Sequence, residues 1–205
     1  MKKGICALLA AILLTSCSAS LVNLKYKDGQ LINKRLDLAY NAAPVNYEPV
    51  SVGKPYAYYG EIDMTLYEIP GMDKKLWLSQ ENIGSGTTVF YSDTITLPTL
   101  SEMQPDSIYV CAGENVTISV VTIDDKDLVA ELINLFETGK ETTWPNLDTV
   151  DTYELKFYGD TYPHLYYNLT YGEFSRGIFL YDRYTKRCVE IGDLLEEWVA
   201  NEWEE

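Results

Sequence analysis

The chain carries few of the residues that nucleophilic or metal-dependent catalysis requires. Its only histidine is His164, and beyond the first 20 residues its only cysteines are Cys111 and Cys188. A zinc site of ordinary spacing needs more ligands than these, so we expect no metal and no cofactor. A Ser-His-acid triad would have to use His164, and the sequence lacks the G-x-S-x-G motif. Because the chain has 31 acidic residues, a carboxylate pair for glycoside hydrolysis stays open as an alternative.

The two internal cysteines raise the question of a disulfide. Cys111 and Cys188 lie in the strand-like segments YVCAG and KRCVE, which could be neighbours in a sheet. An extracytoplasmic location permits a bridge, so a disulfide between Cys111 and Cys188 is one hypothesis. The alternative is that both are small buried hydrophobic residues.

The aromatic segment YPHLYYNLTYGEF, residues 162–174, is predicted to be mostly the inside of a sheet. Alternate side chains of a strand point to opposite faces. This alternation assigns one set to the core, namely Leu165, Tyr167, Leu169 and Tyr171. The other set forms a candidate ligand face, which Arg183 of the basic turn YDRYTKRC could join: His164, Tyr166, Asn168 and Thr170.

A sheet with helices must position these residues. Residues 106–205 predict the order β-α-β-β-β-α, with strands in SIYVCAGENVTISVVTI, TYELKFY, LYYNLTYGEF and GIFLYDR, and RCVEI as an additional short strand. Apolar periodicity predicts one helix after a cap at Asp124, with Gly139 as its stop. A second helix begins near Asp193 and places Trp198 in the core. Short connections favour an antiparallel sheet with both helices packed on one face, which is an α+β fold.

Residues 22–105 predict a β-rich N-terminal region, separate from the α+β domain at 106–205. Asp28-Gly29 marks one hairpin, and the segment IGSG at 83–86 marks another. The segment NAAPVNYEPVSVGKPYAYYG contains three prolines and is predicted to be extended and irregular.

The N-terminus has the pattern of a secretory signal. Lys2 and Lys3 precede the ten-residue apolar run ICALLAAILL, which is too short to span a bilayer core of about 30 Å. The following LTSC, residues 14–17, resembles the lipobox of bacterial lipoproteins. The resemblance implies that residues 1–16 are a cleaved signal peptide. It also implies that Cys17 becomes the N-terminus and carries a diacylglyceryl thioether and a further acyl chain such as palmitate. Residues 17–21 would be a short tether.

The net charge and the predicted lipid anchor together limit the functional classes that fit the sequence. The net charge of -15 repels phosphate backbones, so nucleic acid is not an expected partner. The sequence favours a non-enzymatic binding, sensory or accessory module of the cell envelope. It would be held by its lipid on the extracytoplasmic side of the cell membrane or outer membrane, where it would bind an envelope protein, peptide or glycan.

Two alternatives remain at this stage. One is a carbohydrate-binding lipoprotein, because tyrosine and tryptophan faces stack on sugar rings. Its candidate residues lie in loop-like surroundings: Tyr56, Tyr58, Tyr59 and Trp144. The other is a hydrolase that uses a carboxylate pair.

The lipobox generates a direct prediction. The native protein should partition into a detergent phase and lack Met1, because two or more acyl chains hold a protein stably in lipid. Mass spectrometry of the N-terminal peptide and phase partition measure both properties. Retention of Met1, or an aqueous protein with an unmodified Cys17 thiol, would contradict the prediction.

Overall fold

The computed structural model describes residues 21–81, 87–112, 118–145 and 149–199. The predicted signal peptide and Cys17 lie outside these ranges, so lipidation stays a prediction. Among the residues described, no helix has the length and apolar character needed to cross a membrane.

The N-terminal half of the described chain forms strands joined by tight turns. A single turn of 3-10 helix lies at Gly60–Ile62. The strands are β1 (Val22–Asn23), β2 (Lys25–Lys27), β3 (Gln30–Asn33), β4 (Leu38–Ala42), β5 (Tyr47–Pro49), β6 (Pro55–Tyr59), β7 (Met64–Glu68), β8 (Trp77–Ser79) and β9 (Val89–Ser92). All except β5 join the first sheet, in the order β1-β6-β7-β8-β9-β4-β3-β2.

The first sheet curls until it is nearly barrel-shaped. Its two end strands, β1 and β2, are separated in the chain only by Leu24. The Leu24 N–H donates to the carbonyl of Tyr58 in β6 at 2.8 Å, and the ring of Tyr26 in β2 lies 6.2 Å from the ring of Tyr59. One short segment therefore covers both ends of the sheet, which leaves little open edge. The buried interior consists of Leu24, Leu31, Tyr40, Ala57, Tyr59, Leu66, Leu78 and Phe90.

The C-terminal half forms the second sheet and the two α-helices of the described residues. Its elements are β10 (Ser107–Ala112), β11 (Ile118–Ile123), α1 (Lys126–Thr138), β12 (Thr149–Tyr158), β13 (Leu165–Phe174), β14 (Gly177–Tyr181), β15 (Cys188–Glu190) and α2 (Glu196–Val199). The strand order is β11-β10-β12-β13-β14-β15, with β5 also paired to β13. All of these pairings are antiparallel.

Strand β13 has two successive partners along one edge, because β12 occupies the other. Its first residues pair with β5, in the register Tyr167↔Tyr47. Its later residues pair with β14, in the register Thr170↔Tyr181. Strands β5 and β14 therefore share one edge of β13. The pairing with β5 stops and the pairing with β14 starts on either side of Asn168 and Leu169. We call this place the β13 split.

Several local predictions are confirmed. Asp28 and Gly29 form the tight turn between β2 and β3, with φ of 52° and 86°, the positive values that a type I′ hairpin requires. Strands β8 and β9 pair on either side of residues 83–86, which themselves lie outside the described ranges. The β13 alternation is also as predicted: Leu165, Tyr167, Leu169 and Tyr171 are buried in the core.

The predicted α+β fold is wrong. Of the described residues, 45% are in strands and 12% are helical, so this part of the chain is mostly β and not an α+β fold with two packed helices. Within the described residues, α2 comprises the single helical turn Glu196–Val199. Residues of the first half supply much of the missing layer, because Ile69, Trp77 and Leu100 belong to the same buried cluster as the core face of the second sheet.

Details of both helices also differ from the prediction. The cap of α1 is Asp125, not Asp124, and its carboxylate accepts from the N–H groups of Asp127 and Leu128. Gly139 ends α1 with a φ of -64°, so it is not left-handed. Trp198 is only partly buried, whereas Leu195 is fully buried. The fully buried position is thus occupied by Leu195 and not by Trp198.

Strand pairing and side-chain packing both connect the two regions that the sequence analysis divided at residue 105. Strand β5 belongs to residues 22–105 but pairs with β13 of the second half. One buried cluster also contains residues of both halves, such as Trp77 and Phe157.

The shared core predicts a large effect of a single truncation. Phe157→Ala should lower the free energy of unfolding by about 3–5 kcal/mol, because the ring is fully buried and its removal leaves a cavity. The control is Tyr184→Ala, at an exposed ring, which should change stability by less than about 0.5 kcal/mol. Urea unfolding measures both. Equal stabilities of the two variants would contradict this packing.

Candidate functional site

A pocket of about 640 Å³, which we call the polar pocket after the charged side chains among its lining residues, opens at the β13 split on the face of the second sheet opposite the buried core. Strands β5, β10, β12 and β13 of the second sheet line it, together with Arg183 in the turn after β14. The chain before β5 and before β9 supplies the remainder. The lining residues are Ala43, Pro44, Val45, Glu48, Thr87, Thr88, Cys111, Thr152, Tyr153, Glu154, Asn168, Thr170 and Arg183.

A buried ion pair between Lys156 and Glu48 bounds one side of this pocket. The Lys156 Nζ lies 2.8 Å from both carboxylate oxygens of Glu48, and the two residues are only 5% and 8% exposed. The Asn168 Nδ2 donates a further bond to Glu48 Oε2 at 2.7 Å. Since Lys156 is on β12 and Glu48 on β5, the pair spans the intervening strand β13. The burial of two charges is tolerated because each is opposed by the other and hydrogen-bonded.

A second ion pair lies at the rim. The Arg183 Nη2 is 3.1 Å from Glu154 Oε1, and its Nε donates to Thr170 Oγ1 at 2.9 Å. The preceding Asp182 fixes this turn, because its buried carboxylate accepts from the N–H groups of Tyr184 and Thr185. The guanidinium is therefore held against two strands while more than half of the Arg183 side chain stays exposed.

Two amide oxygens at the pocket lack a donor. The Asn46 Nδ2 donates to the carbonyl of Asn168 at 3.2 Å, and the Asn168 Nδ2 donates to Glu48. Both amide orientations are thereby determined by the acceptor that each NH₂ group faces. Within the described residues, the Oδ1 atoms of Asn46 and Asn168 are buried and have no hydrogen-bond partner.

The structure brings together three of the five residues predicted for the ligand face. Asn168, Thr170 and Arg183 line the polar pocket, whereas His164 and Tyr166 do not. Tyr166 instead packs edge-on against Tyr109 and Tyr158.

His164 precedes β13 with a φ of 62°, and its Nδ1 lies 3.0 Å from the hydroxyl oxygen of Ser51. In the described part of the chain, no carboxylate is bonded to the His164 ring. The structure therefore does not assemble the Ser-His-acid triad considered from the sequence.

The structure does not form the hypothesised disulfide. Cys111 and Cys188 are both free and buried, and they lie on β10 and β15, with β12, β13 and β14 between them. Adjacent strands are about 4.8 Å apart, so the two thiols are well beyond bonding distance. Burial raises the pKa of the Cys111 thiol to about 11. It therefore stays protonated at neutral pH, which makes it a poor nucleophile in the pocket.

The four aromatic residues of the carbohydrate alternative do not share a surface. Tyr59 is buried inside the first sheet, and the Tyr58 hydroxyl donates to Asp63. Trp144 belongs to the second half, where its ring lies 4.9 Å from that of Tyr181. Tyr56 is partly buried against the first-sheet core.

Four important residues were missed in the sequence: Asn46, Glu48, Glu154 and Lys156. A signal existed for two of them, because the alternation of TYELKFY places Glu154 and Lys156 on the face opposite Leu155. No local signal could have found Asn46 and Glu48. Their segment was predicted to be irregular, and β5 forms only by pairing with β13, more than 100 residues away.

The described residues contain no group of three or more histidine, cysteine, aspartate or glutamate side chains that could hold a metal ion. Comparison with protein-family models, with curated proteins and with solved structures gave no match. The geometry of the polar pocket is therefore the basis for the functional argument.

The buried ion pair can be tested by a double-mutant cycle. Lys156→Met should lower the free energy of unfolding by about 3–5 kcal/mol, because the Glu48 carboxylate then loses its counter-ion while still buried. Adding Glu48→Gln should restore part of that loss, since the new amide side chain is uncharged and its oxygen can still accept from Asn168. Urea unfolding of the two single variants and the double variant gives the coupling. Additive effects would show that the two charges do not interact.

Proposed function

We propose that the protein is a lipid-anchored, extracytoplasmic binding module whose polar pocket receives a small polar ligand. The observation that carries this proposal is the pocket of about 640 Å³ at the β13 split. Its size is within the range of ordinary small-molecule sites. Its charged side chains are held in advance by partners on β5, β12 and β13, so little ordering is lost when a ligand binds.

The chemistry of the wall supports binding more than catalysis. Glu48 is bonded to Lys156 and Asn168, and Glu154 is bonded to Arg183. A glycosidase needs one carboxyl group that carries a proton for the leaving group. Both pocket carboxylates are instead already engaged as acceptors by neighbouring cationic or amide side chains, an arrangement that suits ligand binding.

A sugar ligand is less well supported than another polar ligand. Sugar sites present an exposed aromatic face, and the aromatic residue that lines this pocket is Tyr153. Its side chain is buried, with the ring 5.8 Å from that of Tyr171 in the core. The pocket therefore offers hydrogen-bonding groups rather than a stacking platform.

The predicted anchor would hold the start of the first sheet close to the membrane. The first sheet begins with Val22, five residues after Cys17. Five residues span at most about 17 Å when fully extended. A ligand on the membrane-proximal side of the cell envelope is therefore the one that the module would meet.

Blocking the pocket tests the proposal. Thr152 is an exposed pocket residue on β12, so Thr152→Trp should occupy the opening without disturbing the core. The matched control is Thr122→Trp, at an exposed position on β11 away from the pocket. Saturation-transfer NMR with a fixed set of sugars, amino acids, short peptides and polyamines should find binders that the wild type and Thr122→Trp retain and Thr152→Trp loses.

The outcomes are distinct. Thermal melting of all three proteins confirms that the substitutions leave the fold intact. Binders that survive in Thr152→Trp would place the ligand elsewhere on the protein. A wild type that binds no member of the set would count against a small polar ligand altogether.

A further inference from the structure

The start of the described chain and a group of exposed cations lie at the same end of the first sheet. Strand β1 runs parallel to β6, with Val22 beside Ala57, so Leu21 lies at the end where β6 begins. The other pairings of this sheet are antiparallel. The β3–β4 turn, the chain before β6 and the β7–β8 loop therefore meet at this end. Its exposed cations define what we call the basic end: Lys34, Arg35, Lys54, Lys74 and Lys75.

Contacts hold the segments of the basic end together. The Glu68 N–H donates to the carbonyl of Lys54 at 3.0 Å, which joins the chain before β6 to the end of β7. The Lys74 Nζ lies 5.3 Å from the centre of the Tyr56 ring. Burial raises the pKa of the Tyr56 hydroxyl, and the nearby cations Lys74 and Arg35 oppose that rise. The β7–β8 loop and the β3–β4 turn thus bring their cations to the same ring.

The two ends of the first sheet differ in charge. Four acids accompany the five cations of the basic end, namely Asp37, Glu68, Asp73 and Asp93. Glu68 is already bonded to Lys74 at 2.8 Å. At the opposite end, the described turns carry Lys27 together with Asp28, Glu61, Asp63 and Glu81. In a chain with a net charge of -15, the basic end is therefore the end of this sheet at which cations outnumber acids.

We propose that the basic end rests on the anionic headgroups of the membrane that holds the lipid anchor. The five residues from Cys17 to Val22 reach at most about 17 Å, so the surface around Leu21 is the one brought to the bilayer. Anionic headgroups attract lysine and arginine side chains at that surface and repel the acids of the opposite end. This inference rests on the anchor in the proposed function, and it adds the face of the protein that contacts the membrane.

The β3–β4 turn adds an apolar side chain to this contact. Leu36 is 38% exposed and directly follows Lys34 and Arg35. The Asn33 Oδ1 accepts from the N–H groups of Arg35 and Leu36, which fixes the turn. Apolar area and neighbouring cations act together in binding to a membrane interface. The turn therefore has both components of an interfacial contact.

The same orientation determines from which side the polar pocket is reached. Residues 43–45 follow β4 and residues 87–88 precede β9, so both segments lie at the end of the first sheet opposite the basic end. With the basic end on the bilayer, this part of the pocket wall lies away from the membrane. The pocket then receives a water-soluble ligand rather than a membrane lipid.

Lysine acetylation on vesicles tests the orientation. The full-length lipidated protein is added to preformed vesicles of phosphatidylcholine, alone or mixed equally with phosphatidylglycerol, and mass spectrometry measures the acetylation rate of each lysine. Lys54, Lys74 and Lys75 should react about fivefold more slowly on the anionic vesicles, since each cation near an anionic surface contributes roughly that factor. Lys27 should react equally on both. Raised salt should remove the difference, because it screens exposed charges.

Lys34→Glu reverses one charge of the basic end and should remove most of the protection of Lys54, Lys74 and Lys75, while the lipid keeps the protein on the vesicles. The matched control is Lys27→Glu, which makes the same change at an exposed lysine of the opposite end and should keep the protection. Thermal melting confirms that both variants are folded. Equal loss of protection in both would indicate a general charge effect and overturn the inference.

The remaining outcomes separate the inference from the proposed function. Protein that stays on both kinds of vesicle, with equal acetylation of the basic-end lysines on each, would overturn the membrane contact and leave the anchor in place. Protein that binds neither kind of vesicle would overturn the anchor and this inference with it. The polar pocket is judged independently, by the loss of binders in Thr152→Trp.

Discussion

The interaction on which the second half of the structure depends is the buried ion pair between Lys156 and Glu48. It connects β12 to β5 across β13, so it attaches a strand of the first half to the second sheet. Neither charge would be stable alone at this depth, because desolvation of an isolated ion costs several kcal/mol. The pair therefore favours one arrangement of β5 on the edge of β13, and the polar pocket exists only in that arrangement.

The two sheets differ in how their ends and buried faces are covered. The first sheet curls so that residues 22–27 cover both of its ends. The second sheet is open, and its buried face needs a cover that α1 alone cannot provide. Residues such as Trp77, Leu100 and Met103 complete that cover. Aromatic residues of both halves, such as Trp77, Phe157 and Tyr171, belong to this shared core.

The polar pocket follows from an irregularity in the second sheet. A regular sheet would pair one strand along the whole edge of β13. Here two short strands share that edge, and the place where they part exposes polar side chains of β12 and β13. Conflicts between local regularity and global packing often coincide with functional sites. The orphaned amide oxygens of Asn46 and Asn168 are the local sign of such a conflict.

The sequence alone determined what depends on neighbours in the chain. The Asp28-Gly29 turn, the helix at Lys126–Thr138 and the two faces of β13 all follow from local backbone preferences and side-chain alternation, and so does the choice of Asn168 and Thr170 as polar residues on one face. Only the tertiary structure decided what depends on distant partners. It paired β5 with β13, curled the first sheet, separated Cys111 from Cys188 and placed Glu48 beside Lys156. The physical reason is that strand pairing joins segments far apart in the chain, and the sequence of one segment does not specify which distant segment it pairs with.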